Sequence, residues 1–389
     1  MLLLKTAFKN ILGGGMRTWL NVAVLSFTFV IIVWFNGITD GWVQESRQET
    51  IAWETGDGQF WMPEYDRYDV FTLPDAHAPI PNGYREGMAK GDLMPVLVVQ
   101  GTVYPGGGRV MNIQLKGIPA GQTAVKLPTQ GLADREEISA LVGKRMARSA
   151  GLQEGDYVMV RWRDRWGAFD ARQIRIAGVF DSKVPAVDTG QLWLDIEDLQ
   201  QMTGMDGEAT YLILSVGTEV PVDSGWVFKS LAYLTADLDE MLAANRIEMV
   251  ILFIILLSVA LLAVFDTQTL SIFRRQKEIG TYVALGMTQK RVATLFTLEG
   301  TAYSLLAIVV GAIWGTPVLL WQAKVGMPMP DLIEETGIAI GNVIYPIYTF
   351  TAILWTILVI VFSSALISYW PARKITKQNI VLSLKGKIL

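Results

Sequence analysis

The sequence predicts an α-helical membrane protein with four transmembrane helices and one mixed α/β extracytoplasmic domain. Three observations predict it. The chain has 389 residues of which 51% are hydrophobic, and its mean hydropathy is +0.34, too apolar for an ordinary soluble protein. Four runs reach the roughly 20 apolar residues that a helix needs to cross a bilayer core about 30 Å thick. Charge is segregated by region in a way that orients those runs.

Residues 1–17 carry Lys5, Lys9 and Arg17 without an acid and read as a cytoplasmic amphipathic helix ended by Gly13, Gly14 and Gly15. The first span, 18–38 (TWLNVAVLSFTFVIIVWFNGI), has no charged residue. It exceeds a signal-peptide core and is followed by TDGWVQES rather than a small-residue cleavage site, so the reading keeps it as a span. Residues 39–246 form the extracytoplasmic domain, long enough for its own core. Strand-like stretches lie at 93–104, 110–118, 157–163, 173–180 and 211–217, several with alternating apolar positions. Helix-like stretches are REEISALVGKRMARSAG, ending at Gly151, and DIEDLQQMTG, ending at Gly204. Residues 231–246 read as a stalk helix continuous with the second span, 247–272.

A basic cytoplasmic segment, 273–291, leads to the third span, 292–321, which holds Glu299. A short extracytoplasmic loop, 322–344, contains Asp331, Glu334 and Glu335. The fourth span, 345–370, is uncharged and ends on Tyr369 and Trp370, and the tail 371–389 is basic. Trp34, Trp42, Trp321 and Trp370 fall near expected water interfaces. The basic stretches belong in the cytoplasm, and the acidic domain and loop outside, so both termini are cytoplasmic in a multi-pass protein.

Several chemistries are excluded or disfavoured. The chain has no cysteine, which removes disulfides and thiolate sites. Gly13 to Gly15 and Gly106 to Gly108 are not followed by the Gly-Lys pair of a phosphate-binding loop, and they read as turns. His77, the one histidine, reads as a solvated loop residue, so no histidine metal site or serine triad forms within one chain. No catalytic or metal-ligating residue is singled out. Arg161-Trp162-Arg163-Asp164-Arg165-Trp166 reads as an exposed strand and turn, not a nucleic-acid surface.

The most informative stretch is FDTQTLSIFRRQKEIGTYVALGMTQKRVATLFTLEG, residues 265–300. Its run RRQKEIGTYVALGMTQKR resembles the motif of the FtsX-like ABC transporter permeases, in which a basic cluster, Glu-Ile-Gly and Ala-Leu-Gly join the second and third spans. AFKNILGGGMRTWLN (7–21) and YWPARKITKQNIVLSLKG (369–386) resemble that family's opening and closing segments. Asn36-Gly37, Thr55-Gly56-Asp57, Gln59, Pro63 and Tyr65 are similar to landmarks of the lipoprotein-releasing (LolC/LolE-type) branch. LVGKRMARSAGLQEGDYVMVRW and IAGVFDSKVPAVDTGQLWLDIEDLQQM resemble its outer-domain strands. Asp266 and the Gly13 to Gly15 run depart from the family pattern.

The resemblance implies a MacB/FtsX-like, type VII ABC permease fold, with 273–291 as the coupling segment that docks on a separate ATPase. The ATPase-coupling residues are then Arg274, Arg275, Lys277, Glu278, Ile279, Gly280, Ala284, Leu285 and Gly286. Glycines permit close approach, Ile279 and Leu285 offer apolar knobs, and the cations pair with acidic groups or lipid headgroups. Phe29, Ile32, Val33, Phe253 and Leu257 line an outer-leaflet cargo cavity between the first span of one subunit and the second of the other, or pack against lipid. Glu299, two turns inside a span, requires a partner or a proton, and Asp266 sits near the inner interface.

The implied function is the permease half of a mechanotransmission exporter in the bacterial inner membrane, itself not an enzyme. It binds no cofactor, ATP and Mg residing on two ATPase copies, and it pairs with a second permease chain. Lipoprotein extraction, with a lipoprotein carrier or periplasmic adaptor beyond it, is the reading that the branch landmarks imply. The alternatives are a MacB-like exporter of peptides, drugs or glycolipids, and a non-transporting transducer that regulates a cell-wall hydrolase.

Overall fold

The computed structural model describes residues 16–133, 137–218, 225–328 and 343–376. Nearly all of the expected opening helix, the tail beyond 376 and residues 329–342 of the short loop lie outside the described residues. In chain order the elements begin with α1 (Met16–Thr50), β1 (Gly58–Trp61), β2 (Ala78–Pro79), α2 (Arg85–Lys90), β3 (Leu93–Gly106) and β4 (Arg109–Ile118). There follow β5 (Ser139–Gly143), α3 (Lys144–Ala150), β6 (Tyr157–Arg163), β7 (Phe169–Phe180), α4 (Pro185–Asp188), β8 (Gln191–Asp195) and α5 (Ile196–Thr203). The rest are β9 (Glu208–Ala209), β10 (Tyr211–Leu214), β11 (Val227–Ser230), α6 (Leu231–Leu234), α7 (Ala236–Arg274), α8 (Gln276–Ala284), α9 (Gln289–Val325), β12 (Met327–Pro328), β13 (Val343–Ile344) and α10 (Phe350–Thr376). The described residues divide into two compact units, one within 44–241 and the other built on 16–43, 242–328 and 343–376.

The first unit is organised around β3. Its second half pairs with β4 on one side and β6 on the other, and the order β3-β4-β8-β5-β7-β6 returns to β3, closing a six-stranded ring. Its first half pairs with β10, which continues through β1 to β11 as an open extension. Strand β6 shows why the ring closes: Val158, Val160 and Trp162 point inward while Tyr157, Met159, Arg161 and Arg163 point out, the period-two pattern of a sheet with one buried face. The inward set packs with Leu97, Val103, Leu115, Ile174 and Leu194. The Trp162 indole donates to the Met202 carbonyl at 2.9 Å.

Two expectations change here. REEISALVGKRMARSAG is not one helix: its middle is β5, and only Lys144–Ala150 is helical. Ala140, Leu141 and Val142 are all buried because Ala140 and Val142 pack into the ring's core and Leu141 into a second cluster on the other face, with Leu132 and Trp193, and a strand covered on both faces has no alternation to announce it. His77 is not solvated. It is half-buried with Nδ1 against the Glu208 carboxylate, which also meets Arg165 at 3.3 Å.

At the first turn of α3, Arg145 forms a buried ion pair with Asp188 at 2.8 Å, and its backbone N–H donates to the same carboxylate at 3.0 Å. A Cβ on Gly143 would lie 1.8 Å from Asp188 Oδ1, so only glycine lets the carboxylate reach this position. Burial raises the Asp188 pKa above the ordinary carboxylate value, and Arg145 opposes that rise.

In the second unit α1, α7, α9 and α10 are long and apolar enough to cross a membrane. The most apolar stretch of α1 is 56% buried, against 17–22% for the other three, so α1 is the central helix. It continues without a break to Thr50, past the end of the expected first span, and α7 is a single helix from Ala236 to Arg274. Val22 and Leu25 pack with Val264 and Ala302, whereas Phe29 and Val33 pack with Leu257 and Ile360. Rising numbers on α1 meet falling numbers on α7, so the two run antiparallel.

Small residues set the helix spacing. A Cβ on Gly311 or Gly315 would lie 3.0 Å from Phe29 and 2.5 Å from Val30 respectively, so this pair, four residues apart, seats α9 against α1. Gly37 and Gly41 repeat the spacing on α1 and admit Tyr348 and the Tyr345 carbonyl, and the Ile347 N–H donates to the Gly37 carbonyl at 2.8 Å. Where α9 meets α10, a Cβ on Gly300 would lie 2.1 Å from Ser368 Oγ. Replacing Gly300 with leucine is expected to force α9 and α10 apart at a cost of about 1–3 kcal/mol. A lowered melting temperature of the detergent-purified chain, partly restored by Ser368→Gly, checks this.

Candidate coupling site

The second and third apolar helices are joined by α8 and two tight turns. The chain leaves α7 at Arg274 and starts α8 at Gln276, with Arg275 at the corner. Gln276, Ile279 and Gly280 are buried and Val283 is half-buried, a spacing of three and four that gives one apolar face. That face packs on Ile272, Val292, Phe296 and Ala372. At the far end the Met287 N–H donates to the Tyr282 carbonyl and the Gly286 N–H to the Val283 carbonyl, both at 3.0 Å. This is a Schellman closure, and Gly286 supplies the left-handed residue it needs with φ of 93°. Thr288 then starts α9.

The structure separates the residues that sequence alone groups together. Arg274, Lys277, Ala284, Leu285 and Gly286 are exposed, Leu285 at 81%. Glu278 is half-exposed and meets Arg275 Nε at 2.8 Å. Ile279 and Gly280 face inward, so Ile279 is not an apolar knob for a partner but the anchor that holds α8 to the bundle. Arg275 is likewise turned inward: its Nη1 reaches both Glu299 oxygens, at 3.1 and 2.9 Å, and its guanidinium lies 5.0 Å from the Phe296 ring centroid. The Glu299 side chain is 4% exposed. The partner that a carboxylate inside an apolar helix requires is therefore Arg275, and the exposed cations left on this segment are Arg274, Lys277, Lys290 and Arg291.

Asp266 is exposed on α7. The residues expected to line a cargo cavity between two chains are packed within this single chain. Phe29, Val33 and Leu257 are buried with Val30 and Ile360, Phe253 packs against them, and Ile32 is 2% exposed. A bundle with a central α1 fills its interior with α1 side chains, and these positions belong to that core. Phe296 is a functional neighbour that the sequence reading misses. Its signal is present, since it lies three residues before Glu299 and shares its helix face.

A bundle of apolar helices thus holds a short helix by one buried ion pair and one apolar face, and the opposite face of that helix is turned outward. The family described as FtsX-like permease C-terminal matches residues 249–380, from within α7 to the end of α10 and beyond. Over that region the chain is similar to the FtsX-like permeases. It is 28% identical over 167 residues to the ABC transporter permease YtrF of Bacillus subtilis, covering 40% of this chain and 37% of that one. It is 21% identical over 276 residues to the uncharacterized ABC transporter permease MJ1507 of Methanocaldococcus jannaschii, covering 66% of this chain and 64% of that one. The chain thus spans less than two thirds of either relative.

Two solved domains also resemble it. They are the extracellular domain of the noncanonic ABC-type transporter YknZ from Gram-positive bacteria and the periplasmic region of MacB from Actinobacillus actinomycetemcomitans. Identities are 16% and 9%, TM-scores 0.28 and 0.32, and the matches cover 47% and 48% of this chain and 94% of each domain.

Proposed function

We propose that this chain is the membrane subunit of an ABC transporter, driven by a separate ATPase that docks on α8. One observation carries the reading: the outward face of α8 with its closing turn presents Leu285, Ala284 and Lys277, the end of α7 adds Arg274, and Arg275 and Ile279 fix the opposite face to the bundle. An apolar tip beside positive charge suits a cleft with an acidic rim. A helix held rigidly on one side can pass a push on the other into α7 and α9. In the proposed cycle two ATPase copies close on ATP, press the docking helices of two permease chains, and move their spans in the bacterial inner membrane. An almost complete shift between two states requires about 5.5 kcal/mol of differential binding. ATP and Mg reside on the partner, and the termini lie on the ATPase side.

The finer reading is extraction of lipidated cargo, lipoproteins above all, from the outer leaflet. It is supported by the sequence landmarks after the first span. Several of those landmarks have structural duties at the junction of α1 and β1: Gln59 donates to the Glu54 carbonyl at 3.2 Å and accepts from the Trp61 indole at 2.7 Å, and Thr55 is buried.

Replacing Leu285 with aspartate is expected to leave the fold intact and weaken ATPase docking by tenfold or more, roughly 1.4 kcal/mol. Binding of the cognate ATPase to the full chain in nanodiscs measures it. Unchanged affinity would overturn the docking assignment. Release of an acylated protein by the same reconstituted pair, dependent on ATP, tests the cargo.

A further inference from the structure

Strand β4 alternates. Ile113 and Leu115 point into the ring's core, while Asn112, Gln114 and Lys116 stand on the opposite face. Strand register sets these in rows: Gln100, Gln114 and Gln191 across β3, β4 and β8, and beside them Val98, Lys116 and Trp193. Gln100, Gln114, Gln191 and Lys116 line a cleft of about 510 Å³ whose walls include Glu54, Tyr65 and Arg67.

Two groups in that cleft are incomplete. Lys116 is 7% exposed, its ammonium lies 5.0 Å from the Trp193 ring centroid, and no carboxylate among the described residues is ion-paired with it. Gln191 donates through Nε2 to the Ala186 carbonyl, but its buried Oε1 has no hydrogen-bond partner. A buried ammonium without a counter-anion and a buried acceptor without a donor each cost free energy. Both line the same cleft. A lysine placed only for packing would be served as well by methionine or leucine.

We infer that this cleft binds a carboxylate-bearing peptidic ligand, whose anion pairs with Lys116 and whose adjacent N–H donates to Gln191 Oε1. Charge agrees, since Lys116 and Arg67 face a single acid, Glu54, within the cleft. A free peptide C-terminus carries an amide N–H next to its carboxylate, and an acidic side chain supplies the anion from a second source. The three glutamines in the rows can donate to and accept from peptide groups. Burial also lowers the Lys116 pKa to about 8, with Glu54 opposing and Arg67 adding to the shift. Of the residues facing Lys116, Tyr65 is the other titratable group, and burial raises it to about 12; Val98 and Trp193 do not titrate. Binding should therefore weaken as pH rises through about 8.

The test is calorimetric titration of the full chain in detergent with three probes: acetyl-trialanine as the free acid, its C-terminal amide, and acetyl-Ala-Glu-Ala-amide. The expected result is millimolar or tighter binding of at least one acidic probe, with the trialanine amide at least tenfold weaker than that probe. Which acidic probe binds identifies the source of the carboxylate. Lys116→Met should abolish the preference, whereas Lys126→Met, at an exposed lysine paired with Glu49, should keep it. The pH dependence is read on the unmodified chain, so the test survives if the Lys116 variant fails to fold. Equal binding of acid and amide, affinity unchanged between pH 7 and pH 10, or no binding of either acidic probe would overturn the site. None of these outcomes depends on ATPase docking.

Discussion

Arg275→Met is expected to destabilise the helical unit by about 3–5 kcal/mol, the cost of leaving a buried carboxylate without its cation. Glu299 is 4% exposed at its side chain, and Arg275 gives it two hydrogen bonds. Glu299→Gln should cost less, because the amide still accepts from the guanidinium and Glu278 still pairs with Arg275. Changing both residues to methionine should recover most of the loss, since buried ion pairs are often replaceable by apolar groups of similar volume. Unfolding of Arg275→Met, Glu299→Met and the double methionine variant in detergent closes the cycle and gives the coupling energy directly. The double variant also separates scaffolding from transmission. If the Arg275–Glu299 pair carries force from α8 into α9, the folded double variant binds the ATPase normally yet shows much reduced ATP-driven activity. If it behaves like the unmodified chain in both respects, the pair is a scaffold only.

The pair itself is not legible in the sequence, for a physical reason. Glu299 announces that it needs a partner, because a charge inside an apolar run has no other stable state than pairing or protonation. Arg274, Arg275 and Lys277 are equivalent candidates by residue type. The break between α7 and α8 at Arg275 sets which one turns inward, and that break is a tertiary feature with no proline or glycine to mark it. The apolar helices are legible from hydropathy because the length of the run alone decides them. The inward face of such a helix is not: Phe29 and Val33 are as apolar as residues that face lipid, so composition does not tell a packed core from a cavity wall. Small residues are the readable exception. Gly311 and Gly315, and Gly37 and Gly41, sit four apart in apolar or near-apolar surroundings, a spacing that by itself marks close helix contact. In the other unit, β6 is legible through its alternation, and β5 is not, since burial on both faces erases the period.

Lys116→Met is expected to raise the stability of the 44–241 unit at pH 7 by about 3 kcal/mol, and the sign follows from burial. The ordinary lysine value of 10.5 falls to about 8 in the folded chain. Below about pH 8 both folded and unfolded chains hold the proton, and the folded state bears the whole cost of an ammonium away from water. Between about 8 and 10.5 the unfolded chain binds more protons, so stability rises with pH. Above 10.5 the amine is neutral in both states and the cost is gone. The difference of about 2.5 pH units corresponds to about 3 kcal/mol at 1.36 kcal/mol per unit. The unmodified chain should thus become more stable from pH 8 to pH 10.5, and the gap to the methionine variant should close over the same window. Hydrogen exchange of β4 and β8 peptides in the full chain, measured across that range, reads both curves. A gap that stays constant with pH would mean that Lys116 is not held as a desolvated cation. A lysine that costs the empty fold this much is best explained by what it does when the cleft is filled, and a saturating carboxylate ligand should narrow the gap at pH 7 without a change of pH.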